Sequence, residues 1–282
     1  MATDHGSTSP GAHPTRRSLV TGLAGGAALG LTGLTVAGAG AAAAHGTITS
    51  YPGVGGVPTF YINLSDLTSF GYRPSFHDQM GQWMDFWAAN VPDSFGAAYR
   101  VGCLGVHYDG RVTSAHNNGV GFDLTHIYTK TASGSPVRRF YARRDIWMDW
   151  AEADKAPERR RYWATAASVH RYFRDVLTYG SHPSDHSNHI HLDNEVAGPS
   201  TVSFSTGSAA QVRAAQEICR WVWGLPTTLD SVWGSETASH TSRVIAAAGG
   251  SGSLTSAPRT NWLLFTRASM REGYGTQNYP AP

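Results

Sequence analysis

The chain has little cysteine, little charge and almost no surplus of either sign. Two cysteines in 282 residues, Cys103 and Cys219, leave room for one disulfide at most, so a disulfide framework cannot substitute for a hydrophobic core. A bridge between them would tie the first half of the chain to its C-terminal region, and two buried thiols fit the same sequence equally well. Charged residues make up 15% of the chain, and 22 basic against 20 acidic side chains give a formal charge of +2. That balance is not polyelectrolytic and excludes nucleic acid as the expected partner. What is present is 41% hydrophobic content, which suits one or two packed domains rather than a fibrous or disordered chain. Histidine, at thirteen residues, is unusually frequent.

No acidic residue occurs between Asp4 and Asp66, and this stretch reads as an export signal. Arg16-Arg17-Ser18-Leu19-Val20 opens an uncharged run of Ala, Gly and Leu that closes at Ala41-Ala42-Ala43-Ala44. The paired arginines and the low hydrophobicity of the run resemble a twin-arginine signal, with cleavage expected after residue 44. Residues 18–44 are long enough to span a bilayer, but so much Gly and Ala makes a poor membrane helix. No cysteine follows to carry a lipid. The expectation is therefore a secreted or wall-associated protein with no stable membrane insertion, acting as a monomer.

Beyond the signal, residues 46–58 are rich in Gly and Pro without periodicity and read as an extended surface arm. Phe76, Met80, Trp83, Met84, Trp87 and Val91 recur at helical spacing until Pro92 stops them. Ala97 to His107 reads as a strand, followed by a turn at Tyr108-Asp109-Gly110-Arg111. Gly121–Tyr128 and Val137–Tyr141 read as two further strands. A second long helix has Pro157 near its start, carries Tyr162, Trp163, Ala166, Val169, Phe173, Val176 and Leu177 on one face, and stops at Gly180. In His189-Ile190-His191-Leu192-Asp193 the alternation of a strand sets the two histidines on one face and Ile190 and Leu192 on the other. This order predicts an α+β domain over residues 45–200, built on a small, mainly antiparallel sheet with flanking helices that carry the site.

The residues with metal chemistry fall into two clusters. Ser114-Ala115-His116-Asn117-Asn118-Gly119-Val120-Gly121-Phe122-Asp123 supplies one imidazole and one carboxylate, and His189-Ile190-His191 supplies two more imidazoles. A catalytic zinc takes three nitrogen or oxygen ligands at about 2.0–2.2 Å and keeps a fourth position open. A loop delivering His116, a strand delivering Asp123 and a neighbouring strand delivering His191 would hold such a set rigidly.

The pattern Ser-x-His-x-x-Gly-x-Gly-x-Asp followed by His-x-His resembles a group of zinc peptidases. It contains D-alanyl-D-alanine carboxypeptidases, lysostaphin-like endopeptidases, penicillin-insensitive murein endopeptidases and extensin-like C-terminal domains. The likeness spans about residues 97–195 and implies a zinc site made by His116, Asp123 and His191, with His189 as an active-site imidazole that is not a ligand. His186, in His186-x-x-His189-x-His191, looks like the extra histidine of the murein endopeptidases. Arg100 is similar in placement to an arginine of the carboxypeptidase branch, which implies a clamp on a substrate carboxylate. Ser114 matches a serine that hydrogen-bonds the substrate or a metal ligand. The implied activity is zinc-assisted hydrolysis of an amide bond in peptidoglycan stem peptides or cross-links, of the D,D-carboxypeptidase or endopeptidase type. One position departs from the pattern: several members have an acid three residues before the last ligand, and this chain has Asn188. The general base then falls to His189, with or without His186, or to Asp185. A wall-binding protein that keeps the zinc as structure is the alternative. His107, His126, His170 and His182 have no motif around them and read as packing or surface histidines.

From Ser208 onward the pattern becomes three helices: Val212, Ala215, Ile218, Cys219 and Val222 on the first, Glu236 towards Ala248 on the second, and Asn261–Arg271 on the third. Gln211-Val212 with Asp230-x-x-Trp233-Gly234-x-x-Thr237 resembles the three-helix peptidoglycan-binding domain of cell-wall hydrolases, which would occupy residues 205–282. Two features differ from it, Ile245-Ala246 in the second helix and the Gly/Ser-rich loop 249–256. The alternative is a helical cap packed on the catalytic domain. Arg138-Arg139, Arg143-Arg144 and Arg159-Arg160-Arg161, with Asp145 and Glu158 beside them, read as a solvated face.

Overall fold

The computed structural model describes residues 47–62, 65–106, 114–194 and 202–282. The expected signal, the turn at 108–111 and His107 lie outside them. The segment read as a surface arm joins the sheets instead. β1 (Thr49–Tyr51), β2 (Gly53–Val54) and β3 (Val57–Tyr61) follow in close succession. Gly55 and Gly56 both have positive φ, at 54° and 74°, the conformation of the two-residue hairpin turn whose twist suits antiparallel strands. The glycines that suggested looseness form a turn between Val54 and Val57, both buried.

β4 (Phe70–Tyr72) pairs antiparallel with β1. It leads into α1 (Pro74–Asn90), which starts on a proline and buries Phe76, Met80, Trp83, Met84 and Trp87 as the periodicity predicts. β5 (Ala98–Cys103) then returns parallel to β3, and β6 (Gly121–Lys130) and β7 (Pro136–Tyr141) follow as an antiparallel pair. After the short α2 (Arg144–Trp147) comes α3 (Glu152–Tyr172), and then β8 (Asp175–Leu177) and β9 (Ile190–Asp193). The large sheet has seven strands in the order β2-β3-β5-β6-β9-β8, with β7 also on β6. It is larger than the sequence suggested and mixed: five of its pairings are antiparallel, as expected, and β3–β5 is parallel because α1 crosses between those two strands.

The second long helix ends earlier than its apolar face suggested. Phe173 is already extended at φ −117° and ψ 140°, and Val176 sits on β8 opposite Leu192 of β9. An apolar pair at helical spacing is as compatible with a short strand as with one more turn, and pairing to β9 decides between them.

α4 (Ala209–Trp221), α5 (Ser235–Ala247) and α6 (Pro258–Tyr274) complete the chain. Ser208 caps α4 by accepting from the backbone N–H of Gln211. The described residues form one unit, centred on α3, whose residues from Tyr162 to His170 are all buried. A helix buried all round needs partners on every side. Here α1 and β7 cover part of it and α4 and α6 the rest. Small residues bring α6 close: a Cβ on Gly273 would stand 2.4 Å from Cβ of Ala164. The Trp262 indole donates to the backbone carbonyl of His170 at 3.0 Å. Cys103 and Cys219 are both buried and unbridged. Among the described residues no helix is long and apolar enough to cross a membrane.

Candidate metal centre

The site begins with the turn that carries His116. Ser114 Oγ accepts from the backbone N–H of Asn117 at 3.3 Å, and Val120 N–H closes back on the Ala115 carbonyl at 3.0 Å. Gly119 has φ +63°, and a Cβ there would meet Ile48 at 2.5 Å. At Gly121 a Cβ would lie 3.2 Å from Nδ1 of His116. The two glycines let the loop fold back and the imidazole lie against the start of β6. Ser114 thus shapes the loop that presents His116.

Asp123 on β6 and His191 on β9 are direct partners across the antiparallel ladder, so both side chains leave the same face. Asp123 Oδ1 lies 2.8 Å from Nδ1 of His191, 3.3 Å from Nε2 of His116 and 3.4 Å from Nε2 of His189. One carboxylate oxygen therefore meets three imidazoles. Each ring is held from behind by its other nitrogen: His116 Nδ1–H donates to the Val106 carbonyl at 2.7 Å, His191 Nε2–H to Asp193 Oδ2 at 2.9 Å, and His189 Nδ1–H to Asn188 Oδ1 at 2.6 Å. Such partners fix the tautomer and aim the inner nitrogen at the cluster.

His116, Asp123 and His191 are all buried, and their ligand atoms lie within 4.8 Å of one another. The three could hold a metal ion. Ligands about 2.0–2.2 Å from a tetrahedral centre stand roughly 3.3–3.5 Å apart; the 3.3 Å between His116 and Asp123 meets this, and the 2.8 Å between His191 and Asp123 is a hydrogen bond. Both imidazoles of this set are oriented from behind, by the Val106 carbonyl and by Asp193.

The electrostatics follow from burial and the short contacts. Burial opposes ionisation of Asp123, yet hydrogen bonds from His116 and His191 outweigh it and hold the carboxyl well below the usual range. Burial likewise opposes charge on His191, and hydrogen bonds to Asp123 and Asp193 overcome it, raising the imidazole to about 9. His189 goes the other way: burial lowers it despite the attraction of Asp123, which favours a neutral ring. His186 is lowered to about 4 by burial and by its histidine neighbours. Its ring lies 4.8 Å from that of His189 and 6.0 Å from that of His191, and its Nδ1 is buried without a hydrogen bond.

Of the predicted site residues, His116, Asp123, His189, His191 and His186 come together, and Ser114 lies in the His116 turn. Arg100 does not join them. It pairs with Tyr128 on β6, five residues and roughly 16 Å along the strand from Asp123, with its guanidinium 4.1 Å over the Phe60 ring. Asp185 is exposed. His126 packs against Tyr141, His170 is enclosed between helices, and His182 is exposed. The residue whose role the motif did not reveal is Asp193. Its signal was the alternation of β9, which sets His189, His191 and Asp193 on one face. Compared with described protein families, curated proteins and solved structures, the chain matches none of them.

Proposed function

We propose that this protein is an exported zinc peptidase that hydrolyses amide bonds in peptidoglycan stem peptides or cross-links. The observation that carries the reading is the pairing of Asp123 with His191 across two strands while His116 closes the triangle, in a motif that resembles peptidoglycan peptidases. Zinc held there would acidify a water and polarise the scissile carbonyl.

The chain's own residues account for the proton. His189 is neutral, and Asn188 fixes its Nδ1–H, so the Nε2 lone pair faces the cluster. That nitrogen takes the proton of the attacking water and returns it to the leaving amine. Asn188, which cannot accept a proton, serves the base next to it by holding its tautomer. His186 adds an imidazole beside His189.

The test is zinc content by elemental analysis together with mass spectrometry of defined muropeptides. One zinc per chain is expected, with cleavage lost in His116→Ala and reduced in His189→Ala. Absence of zinc, with muropeptide release unchanged in His116→Ala, would overturn the proposal. Zinc without cleavage, combined with retention on insoluble peptidoglycan, would instead support the wall-binding alternative, which the missing acid at Asn188 favours.

A further inference from the structure

A second site lies apart from the metal cluster. Between α2, the first turns of α3, the turn at Tyr179 and α4 there is a cleft of about 400 Å³, lined by Arg144, Lys155, Arg159 and Arg213. Among the described residues two carboxylates answer these four cations. Glu217, largely buried, is taken by Arg213 at 2.9 Å and by the Trp221 indole. Glu152, exposed, stands 3.5 Å from Lys155 and 3.4 Å from Arg159, and Lys155 also donates to the Met148 carbonyl at 2.9 Å. Arg144 has no carboxylate within 4.0 Å among the described residues.

Two of the guanidiniums lie on aromatic faces, Arg144 4.7 Å over Tyr179 and Arg159 4.2 Å over Trp221. Stacking fixes the plane of a guanidinium without using its N–H groups, so Arg144 can grip an anion in a two-pronged fashion, while Arg159 shares Glu152 with Lys155. Arg144 comes from α2, Lys155 and Arg159 from α3 and Arg213 from α4, so three helices converge on the cleft.

We propose that this cleft binds a phosphodiester-bearing polymer with a polyol or sugar backbone. Arginine forks match phosphate oxygens, and a cleft of this volume accepts several repeat units rather than one small anion. Trp221, half-buried at the edge of the cleft, suits the CH faces of the backbone between charges. The Tyr179 turn begins two residues after Leu177, which is paired with His191 across β8 and β9. Binding requires no metal, and its measurement is therefore separable from the peptidase proposal.

The experiment is titration of the full chain with an oligo(glycerol phosphate), followed by tryptophan fluorescence and calorimetry at low and high salt. Saturable binding is expected, weakening steeply with salt and at least tenfold weaker in the Arg144→Gln/Arg159→Gln double variant, while Arg138→Gln, outside the cleft, binds as the parent does. Lys155→Gln, a change at a partly exposed side chain, is expected to weaken binding about threefold and reads the site if the double variant is unstable. The proposal is overturned if the parent does not bind, if poly-L-glutamate of equal charge binds as tightly, or if a folded double variant or Lys155→Gln binds unchanged.

Discussion

Asp193 accepts a hydrogen bond from His191, Oδ2 to Nε2 at 2.9 Å, while the other nitrogen of that ring faces Asp123. Outer partners of this kind raise the basicity of a ligating imidazole and hold its orientation. Asp193→Ala is therefore expected to weaken zinc affinity by about 10- to 100-fold. Competition with a chromogenic chelator measures it, with Asp193→Asn recovering part of the loss. Unchanged affinity in the alanine variant would remove Asp193 from the centre.

Asn188 holds the ring of His189, the base of the proposed reaction, by accepting from its Nδ1–H at 2.6 Å. A carboxylate at this position would favour the charged form of His189 and raise its pKa. In Asn188→Asp the acidic limb of the pH–rate profile is expected to move to higher pH, since the ring must be neutral to take a proton. Asn188→Leu, which leaves Nδ1–H without its acceptor, is expected to lower kcat with little change in KM. A pH profile in Asn188→Asp that coincides with the parent would argue against His189 as base.

His170 makes stability depend on pH. It is wholly buried with neither ring nitrogen hydrogen-bonded, and burial depresses it from 6.5 to about 3. Between those values the unfolded chain binds the proton and the folded chain does not. The contribution is thus present above about pH 6.5 and is lost as pH falls towards about 3. From pH 7 to pH 4.5 the loss is about 2–3 kcal/mol by linkage. Urea midpoints at the two pH values measure it, and His170→Leu is expected to show the smaller acid loss.

Gly273 sets the distance between α6 and α3. A side chain there would meet Ala164 well inside contact distance, so Gly273→Val is expected to destabilise the protein by about 1–3 kcal/mol through overpacking. Removal of residues 205–282 would uncover the buried turns of α3 and is expected to yield insoluble protein. A soluble 45–200 fragment with cooperative melting would show that the two parts are independent.

Cys103 and Cys219 are free and buried. Reducing agent is expected to leave the melting temperature unchanged, and a thiol reagent should find two groups only after denaturation. Labelling of neither thiol in denaturant would reveal a bridge.

The amphipathic helices were legible because their apolar spacing is local: Phe76 to Trp87 in α1 and Val212 to Cys219 in α4 announce one buried face each. The group that could hold a metal was legible for a related reason, since the Ser114–Asp123 motif carries its own turn glycines and the alternation of β9 puts His189 and His191 on one side. Strand alternation names a face but no neighbour. Whether Val176 continues a helix or joins β9, whether the Gly55-Gly56 pair lies loose or turns a hairpin, and where Arg100 stands relative to Asp123 all depend on hydrogen-bond partners distant in sequence. The burial that lowers His170 and the convergence of Arg144, Lys155, Arg159 and Arg213 come from the packing of α3 between sheet and C-terminal helices. Sequence by itself determined which side chains carry metal chemistry and which helix faces are buried; tertiary structure decided which of them meet, because pairing and packing join segments that local periodicity leaves independent.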